Sequence, residues 1–475
     1  MSSSSSSPAA ATATATHILV FPYPAQGHML ALLDLTQQLA LKGLTITILV
    51  TPKNLQLLDP ILSSQPSIRT LILPFPNHPK LPVGVENVKD IGNHGNSLII
   101  AALAKLRGPL IQWFKSHPSP PQAILSDFFL GWTNNLADEL NIPRIAFFST
   151  ASFLACVFSY LWLHIDTVRH LPVVEFPDLP GLPSFIQAHT PSIFRQYRDS
   201  DSDWEVTRDG MIANLSSWGI VFNSFSALEG DYLEHMKKKS VHGRVYGVGP
   251  LTLMAGSERL NRVNPDSETK YSVLKWLDNQ PEGSVLYVCF GSQKLLTTAQ
   301  MEALASGLEH SMTRFIWVVR SGFSGKVEGE EGHGTVPGGF EERVGCRGLV
   351  IKWAPQVEIL SHRAVGGFLS HCGWNSVLES VAAGVMILAW PTEADQFVNA
   401  RLLVDDLGVA VRVCEGGDAA PDSVELARII SESLSGNVPQ KERAKALREK
   451  TLEAAKAGGS SSTAMDELVE ELRHL

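Results

Sequence analysis

The sequence predicts an α/β fold of two doubly wound parallel sheets facing each other across a cleft, and three observations carry that expectation. Short apolar segments alternate with helical patterns from residue 18 onward, the rhythm of βαβ units. A Gly- and Pro-rich stretch interrupts that rhythm near the middle of the chain, after which it restarts. The length of 475 residues would be unusual for one domain and suffices for two cores.

Residues 1–16 are almost entirely Ser, Ala and Thr, too polar to pack, and are expected to be disordered. Lacking Arg, they do not read as a transit peptide. A first domain over 17–250 opens with a strand at 18–22, a helix at 28–42 stopped by Gly43, and a strand at 44–50. A strand at 123–126, a helix at about 131–140 and a strand at 144–148 continue it. The Pro-rich stretch 171–191 has no period and reads as a surface excursion. Gly247, Gly249, Pro250, Gly256 and Pro265 mark the junction, with the linker at 251–266. The second domain, 267–457, repeats the pattern: strand 284–290, helix 298–310, strand 314–319, a Gly- and Glu-rich mobile loop at 321–339, and strand 349–353. Strands at 365–369, 385–389 and 408–413 complete it, with a helix opening near Trp374 and stopping at Gly384. A last helix, 465–472, follows a Gly/Ser run inside a terminal segment, 458–475.

Composition excludes several classes of function. A net charge of −9 argues against nucleic acid, and the one dense basic run, Lys237-Lys238-Lys239, reads as the solvated end of a helix. Cys156, Cys289, Cys346, Cys372 and Cys414 are scattered, odd in number and form no CxxC pair, which suits reduced core thiols in a cytoplasmic protein. The longest apolar stretch, 153–163, falls well short of the roughly 20 residues that cross a bilayer, and the C-terminal end carries no apolar tail; neither a membrane anchor nor an obligate oligomer is expected, and the chain is read as a monomer.

The richest segment runs from Trp353 to Gln396. A strand leads into His371-Cys372-Gly373 and then a helix, the strand–Gly turn–helix geometry whose free N–H groups and dipole favour a phosphate. Asn375 and Ser376 add side-chain donors in the first turn, and Glu379, four residues after Asn375, offers a carboxylate to the two hydroxyls of a ribose one turn further in. This segment resembles, without insertion or deletion, the secondary product glycosyltransferase signature of plant family 1 UDP-glycosyltransferases. The resemblance implies the GT-B architecture, with UDP-glucose as a co-substrate and neither cofactor nor metal. It implies that Trp353 stacks on uracil with the Ala354 backbone on its edge, that Gln356 joins the donor site, and that Glu379 binds ribose. His371, Asn375 and Ser376 would meet the diphosphate, together with Ser292 of the strand-ending Phe290-Gly291-Ser292, and Ser149 would touch the donor. Trp374, Asp395 and Gln396 would hold the sugar, and Gln at the last position favours glucose. Met386 and Ala31 depart from the family's usual Pro at these places, which should alter packing and leave chemistry intact.

His28 and Asp127 each follow the carboxyl end of a strand in the same predicted sheet. Glucosyl transfer to a hydroxyl needs a base near neutral pKa, and a carboxylate on one imidazole nitrogen fixes the tautomer and stabilises the imidazolium. By residue type alone a helix-capping or buried histidine is the commoner reading; the resemblance assigns His28 as base and Asp127 as its partner. The stretch from Phe75 to Pro79, Ser126 to Trp132 and Asn223-Ser224-Phe225 resemble the branch acting on flavonols and hydroxybenzoates, so a flat phenolic acceptor is expected, with a terpenoid or a rhamnosyl or xylosyl donor as alternatives. The Asp199-Ser200-Asp201-Ser202-Asp203 run has the spacing of a metal-binding DxD but no phosphate-type turn, and reads as a solvated acidic loop. A dinucleotide-dependent oxidoreductase would need GxGxxG after a first strand, which neither half supplies. A sugar-nucleotide binder without catalysis would be expected to lack His28 or Asp127.

Overall fold

The computed structural model describes residues 16–254, 267–291, 294–319, 334–436 and 438–475. Ser292, residues 255–266 of the expected linker and residues 321–333 of the expected loop lie outside the described residues.

The first sheet contains β1 (His17–Phe21), β2 (Thr45–Val50), β3 (Arg69–Ile72), β4 (Ala123–Asp127) and β5 (Arg144–Phe148). After a small antiparallel pair, β6 (Val173–Glu175) with β7 (Ser184–Ile186), it is completed by β8 (Gly219–Phe222) and β9 (Val245–Gly247). Its order is β3-β2-β1-β4-β5-β8-β9. The second sheet holds β10 (Val285–Cys289), β11 (Arg314–Val318), β12 (Gly348–Ile351), β13 (Val365–Ser370), β14 (Ile387–Ala389) and β15 (Ala410–Arg412), ordered β12-β11-β10-β13-β14-β15. All pairs in both large sheets are parallel. Central strands such as β1, β4, β5 and β8 are buried at every position, which is why their interiors read as near-continuous apolar runs, with polar residues only at strand ends, and not as alternating ones.

Strand order reverses once in each sheet, and these reversals place the site. In the first sheet the chain goes from β1 outward to β2 and β3, then returns to β4 on the other side of β1; in the second it goes from β10 to β11 and β12, then returns to β13. A crevice opens beyond the carboxyl ends at such a reversal because the two flanking connections diverge to opposite faces. His28 follows the end of β1 and Asp127 is the last residue of β4; Gly291 and His371 follow the ends of β10 and β13.

The C-terminal helix Ser460–Arg473 is longer than expected and buries Met465, Leu468, Val469 and Leu472, an i, i+3, i+4, i+7 stripe, against Ile18, Leu39 and Tyr246 of the first unit. Glu471 fixes it there, accepting from Tyr246 Oη at 2.8 Å and Arg244 Nε at 2.7 Å. The stretch 171–191 is largely at the surface, as its sequence suggested, but not wholly: the β6–β7 hairpin turns Val174, Phe176, Leu179 and Phe185 into the core, with strands too short to show a period. Nor are Asp199 to Asp203 all loop. Asp201 caps the helix Ser202–Ala213, and the buried Asp203 binds Lys80 Nζ at 2.7 Å and His78 Nε2 at 3.0 Å. The strand before Trp353 ends at Ile351. Met386 and Ala31 are both buried, and all five cysteines are unpaired thiols. Among the described residues no helix is long and apolar enough to cross a membrane.

Candidate active site

The chain leaves β1 through Pro22-Tyr23-Pro24 and enters the helix Gln26–Leu41 from an extended Ala25, so His28 stands in its first turn at the sheet edge. Because β1 and β4 pair in parallel register, Phe21 beside Ser126, the next residue of β4, Asp127, comes level with that turn. His28 Nδ1 lies 2.9 Å from Asp127 Oδ2. The other carboxylate oxygen accepts from the Phe129 backbone N–H at 2.9 Å, and the side chain is wholly buried. With Nδ1 held by a carboxylate, it carries the ring proton and Nε2 is left as the acceptor. Phe128 stacks on the imidazole (ring centres 5.4 Å, planes 17° apart) and Tyr23 meets it edge-on. Beneath Asp127, buried Arg144 donates to Ser126 Oγ, Asn214 Oδ1, Ser217 Oγ and the Asp127 carbonyl. Burial lowers that guanidinium to about 9, and only the Asp127 charge opposes the shift.

At the second reversal, the imidazole of His371 is wedged between two glycines. A Cβ on Gly291 or on Gly373 would come within 2.6 Å of its Nε2, so neither position has room for a side chain, and Gly291 also takes a positive φ of 74°. Desolvation lowers His371 to about 4, so at neutral pH it offers a neutral N–H and no charge. His371 Nδ1 and Asn375 Oδ1 are buried polar atoms without a hydrogen bond among the described residues, while Asn375 Nδ2 donates to the Gly27 carbonyl of the first unit at 3.2 Å. Unmatched polar atoms of this kind, at the mouth of a helix lined with N–H groups, mark where a ligand completes the bonding. Ser376 and Glu379 are joined by one amide: Gln356 Nε2 lies 2.9 Å from Ser376 Oγ and 2.7 Å from Glu379 Oε2, and its Oε1 accepts from Tyr287 Oη.

At the sugar end two of the expected residues already spend polar atoms within the protein. Gln396, expected to hold the sugar, has its Oε1 already taken by the Thr392 N–H and hydroxyl, each at 2.9 Å, and the Glu393 N–H at 3.0 Å. Two backbone donors settle which end is oxygen, so only Nε2 remains for a ligand. The Trp374 side chain lines the cavity but is only 3% exposed, and its indole N–H is already used, donating to the Asn223 carbonyl at 2.8 Å. Asp395 follows Ala394 in a left-handed conformation (φ 55°) and accepts from Asn399 Nδ2 at 2.7 Å, while burial raises its carboxyl above the usual range.

These groups share one cavity of about 270 Å³, lined by His28, Ser149, His371, Trp374, Asn375, Ser376, Asp395 and Gln396 among others. Trp353, Ala354, Gln356 and Glu379 are outside its lining; Gln356, and through it Glu379, connects to the cavity at Ser376. The UDP-glycosyltransferase 89A2 of Arabidopsis thaliana is 51% identical over 460 residues, covering 96% of this chain and 95% of its own. The chain belongs to the plant UDP-glycosyltransferases. The family model described as UDP-glucoronosyl and UDP-glucosyl transferase matches residues 245–422, the half that carries the signature. The flavonol 3-O-glucosyltransferase UGT89B1 of A. thaliana is 48% identical over 96% of this chain and 95% of its own length. Among solved structures, A. thaliana UGT89C1 with UDP-L-rhamnose superposes with a TM-score of 0.79 at 40% identity, covering 97% of this chain and all (100%) of that one. The same protein with quercetin gives 0.76 at 38% identity, with 97% and 100% covered.

In this UDP-glycosyltransferase several cavity residues were not picked out from sequence. Tyr23, Asn93, Asn96, Thr150, Lys294 and Glu393 all line it. Lys294 donates to the Gly417 carbonyl at 2.8 Å, beside the loop that carries the sugar-end residues. Asn399 had a readable signal, since it stands four residues after Asp395 and so on the same helix face. The others had none, being brought in from separate connections by the packing of the two sheets.

Proposed function

We propose that this chain is an inverting UDP-glucose-dependent O-glucosyltransferase for hydroxyls of flat phenolic acceptors, flavonoids among them. The observation that carries the reading is the His28–Asp127 pair opening on the same cavity as the His371, Asn375 and Gln396 edge. The first unit, 17–250, would hold the acceptor and the second, 267–457, the donor. His28 Nε2 removes the acceptor hydroxyl proton while the oxygen attacks the anomeric carbon. The bond from that carbon to the β-phosphate oxygen breaks in the same displacement, and UDP leaves with the electron pair. Asp127 stabilises the imidazolium. The neutral His371 N–H, the helix N–H groups and Asn375 receive the charge that develops on the diphosphate.

The aromatic wall of Phe128, Phe129 and Phe158 suits a planar ring system, and the likeness to UGT89B1 and to UGT89C1 bound to quercetin points the same way. The UGT89C1 complex with UDP-L-rhamnose supports a second reading, in which the donor is UDP-rhamnose. The test is turnover of a flavonol panel with UDP-glucose and UDP-rhamnose as competing donors, and NMR of the anomeric configuration. A β-glucoside from the α-linked donor supports the proposal; a rhamnoside as main product moves it to the second reading. Since Asp201 and Asp203 are spent on helix capping and on Lys80, EDTA is expected to leave turnover unchanged.

A further inference from the structure

The His28 side of the cavity is walled by Phe128, Phe129, Leu154 and Phe158, and an amide stands among these rings. Asn96 begins the helix Asn96–Ala104 and is 8% exposed. Its Oδ1 lies 2.6 Å from the Tyr23 hydroxyl, a separation that suits O–H···O and is short for N–H···O. Tyr23 is fully buried, and desolvation with the nearby Asp127 charge raises its phenol well above the ordinary value, so it keeps its proton to donate. The amide is thereby oriented: Oδ1 is taken by Tyr23, which leaves Nδ2 as the donor that this cavity-lining residue can offer. The neighbouring Asn93 is already committed, its Nδ2 donating to Glu393 at 3.0 Å. Tyr23 also packs edge-on against His28, ring centres 5.4 Å apart, so the donor of Asn96 stands one phenol ring away from the base.

We propose that Asn96 selects the acceptor, its Nδ2 donating to a carbonyl oxygen on a planar aromatic whose hydroxyl is turned to His28. The assignment rests on the aromatic O-glucosyltransferase reading above. An acceptor without that oxygen would bury the amide donor unpaired, and a site that supplies a donor to its substrate discriminates against the analogue lacking the partner. The chemical class is therefore hydroxylated aromatics carrying a ring ketone, in preference to the same phenols with a saturated ring.

The experiment compares 7-hydroxyflavone with 7-hydroxyflavan, each with UDP-glucose, in wild type, Asn96→Leu and Tyr23→Phe. Asn96→Leu should lower kcat/KM for the flavone by about tenfold, chiefly through KM, and leave the flavan within about twofold. Tyr23→Phe keeps the amide but removes the hydroxyl that orients it, and should narrow the flavone-to-flavan ratio in the same direction. This second variant carries the test if Asn96→Leu does not fold. Equal losses for both acceptors, or an unchanged ratio in a folded variant, would overturn the assignment. A wild-type enzyme that binds UDP-glucose yet glucosylates neither compound would instead overturn the aromatic-acceptor reading, and the assignment with it.

Discussion

Trp374 donates its indole N–H to the Asn223 main-chain carbonyl across 2.8 Å, tying the first turn of the signature helix to the loop that leaves β8. The bond spans the two units and is buried, so Trp374→Phe removes one partner and leaves a carbonyl unsatisfied, at a cost of about 1–3 kcal/mol. The expected result is a lower Tm in calorimetry and weaker UDP-glucose binding, because the same turn presents Asn375 and Ser376. A variant with unchanged Tm and Kd would show that the tie carries neither.

His28→Ala should cut turnover by a factor on the order of 10² to 10⁴, while UDP binding stays near wild type. Asp127→Asn should be milder, since the imidazole keeps a hydrogen-bond partner and loses only the charge that stabilises its protonated form. Single-turnover rates beside UDP titrations separate the two effects; a parallel loss of UDP affinity would move His28 to donor binding.

Gln396→Glu keeps the acceptor that gathers the Thr392 and Glu393 N–H groups but replaces the Nε2 donor. Loop folding should survive and glucose transfer should fall at least tenfold, the scale of one lost hydrogen bond to a buried sugar hydroxyl. Gln396→His loses the oxygen that takes both backbone donors and should disturb the loop as well. Donor competition with UDP-glucose and UDP-galactose reads the outcome, and an unaltered preference in Gln396→Glu would remove Nε2 from sugar recognition.

Glu379→Ala deletes a charged acceptor and leaves the Gln356 amide with one partner fewer, so the dissociation constant for UDP should rise at least tenfold. Titration calorimetry measures it. No change would mean that this helix face does not meet the ribose.

His371 supplies a pH dependence. Its folded value is about 4 against an ordinary 6.5, so the unfolded chain takes up a proton that the folded site refuses. Stability from this group is complete above pH 6.5 and is lost progressively as pH falls toward 4. His17, His189 and His235 are also lowered by burial and act in the same direction. The slope of Tm against pH across that window should therefore diminish in His371→Asn without vanishing. An identical slope would exclude His371 from it.

The strands and the signature helix were legible because their causes are local. Apolar runs such as 145–148 become central strands whatever surrounds them, and the helix over Trp374–Ala383 starts after a Gly turn and ends at Gly384, in the left-handed region with φ 72°. The likeness of the segment 353–396 to a known signature named candidate donor-site residues, and it named the family. What it could not give was the partner of each polar atom. Gln396 and Trp374 keep their places, yet the Gln396 oxygen is used by its own loop and the Trp374 indole by Asn223, because a buried donor or acceptor takes whichever partner the packing brings within 3 Å. Likewise the β6–β7 hairpin, three residues a strand, is too short for a sequence period and forms only because Val174 and Phe185 find a core to enter. His28 and Asp127 are 99 positions apart, and their residue types alone do not distinguish a catalytic pair from a capping histidine and a strand-end carboxylate. The parallel register of β1 on β4 brings them together, since strand pairing is a long-range choice that sets a first-turn helix residue beside a strand-end residue without any signal in either segment.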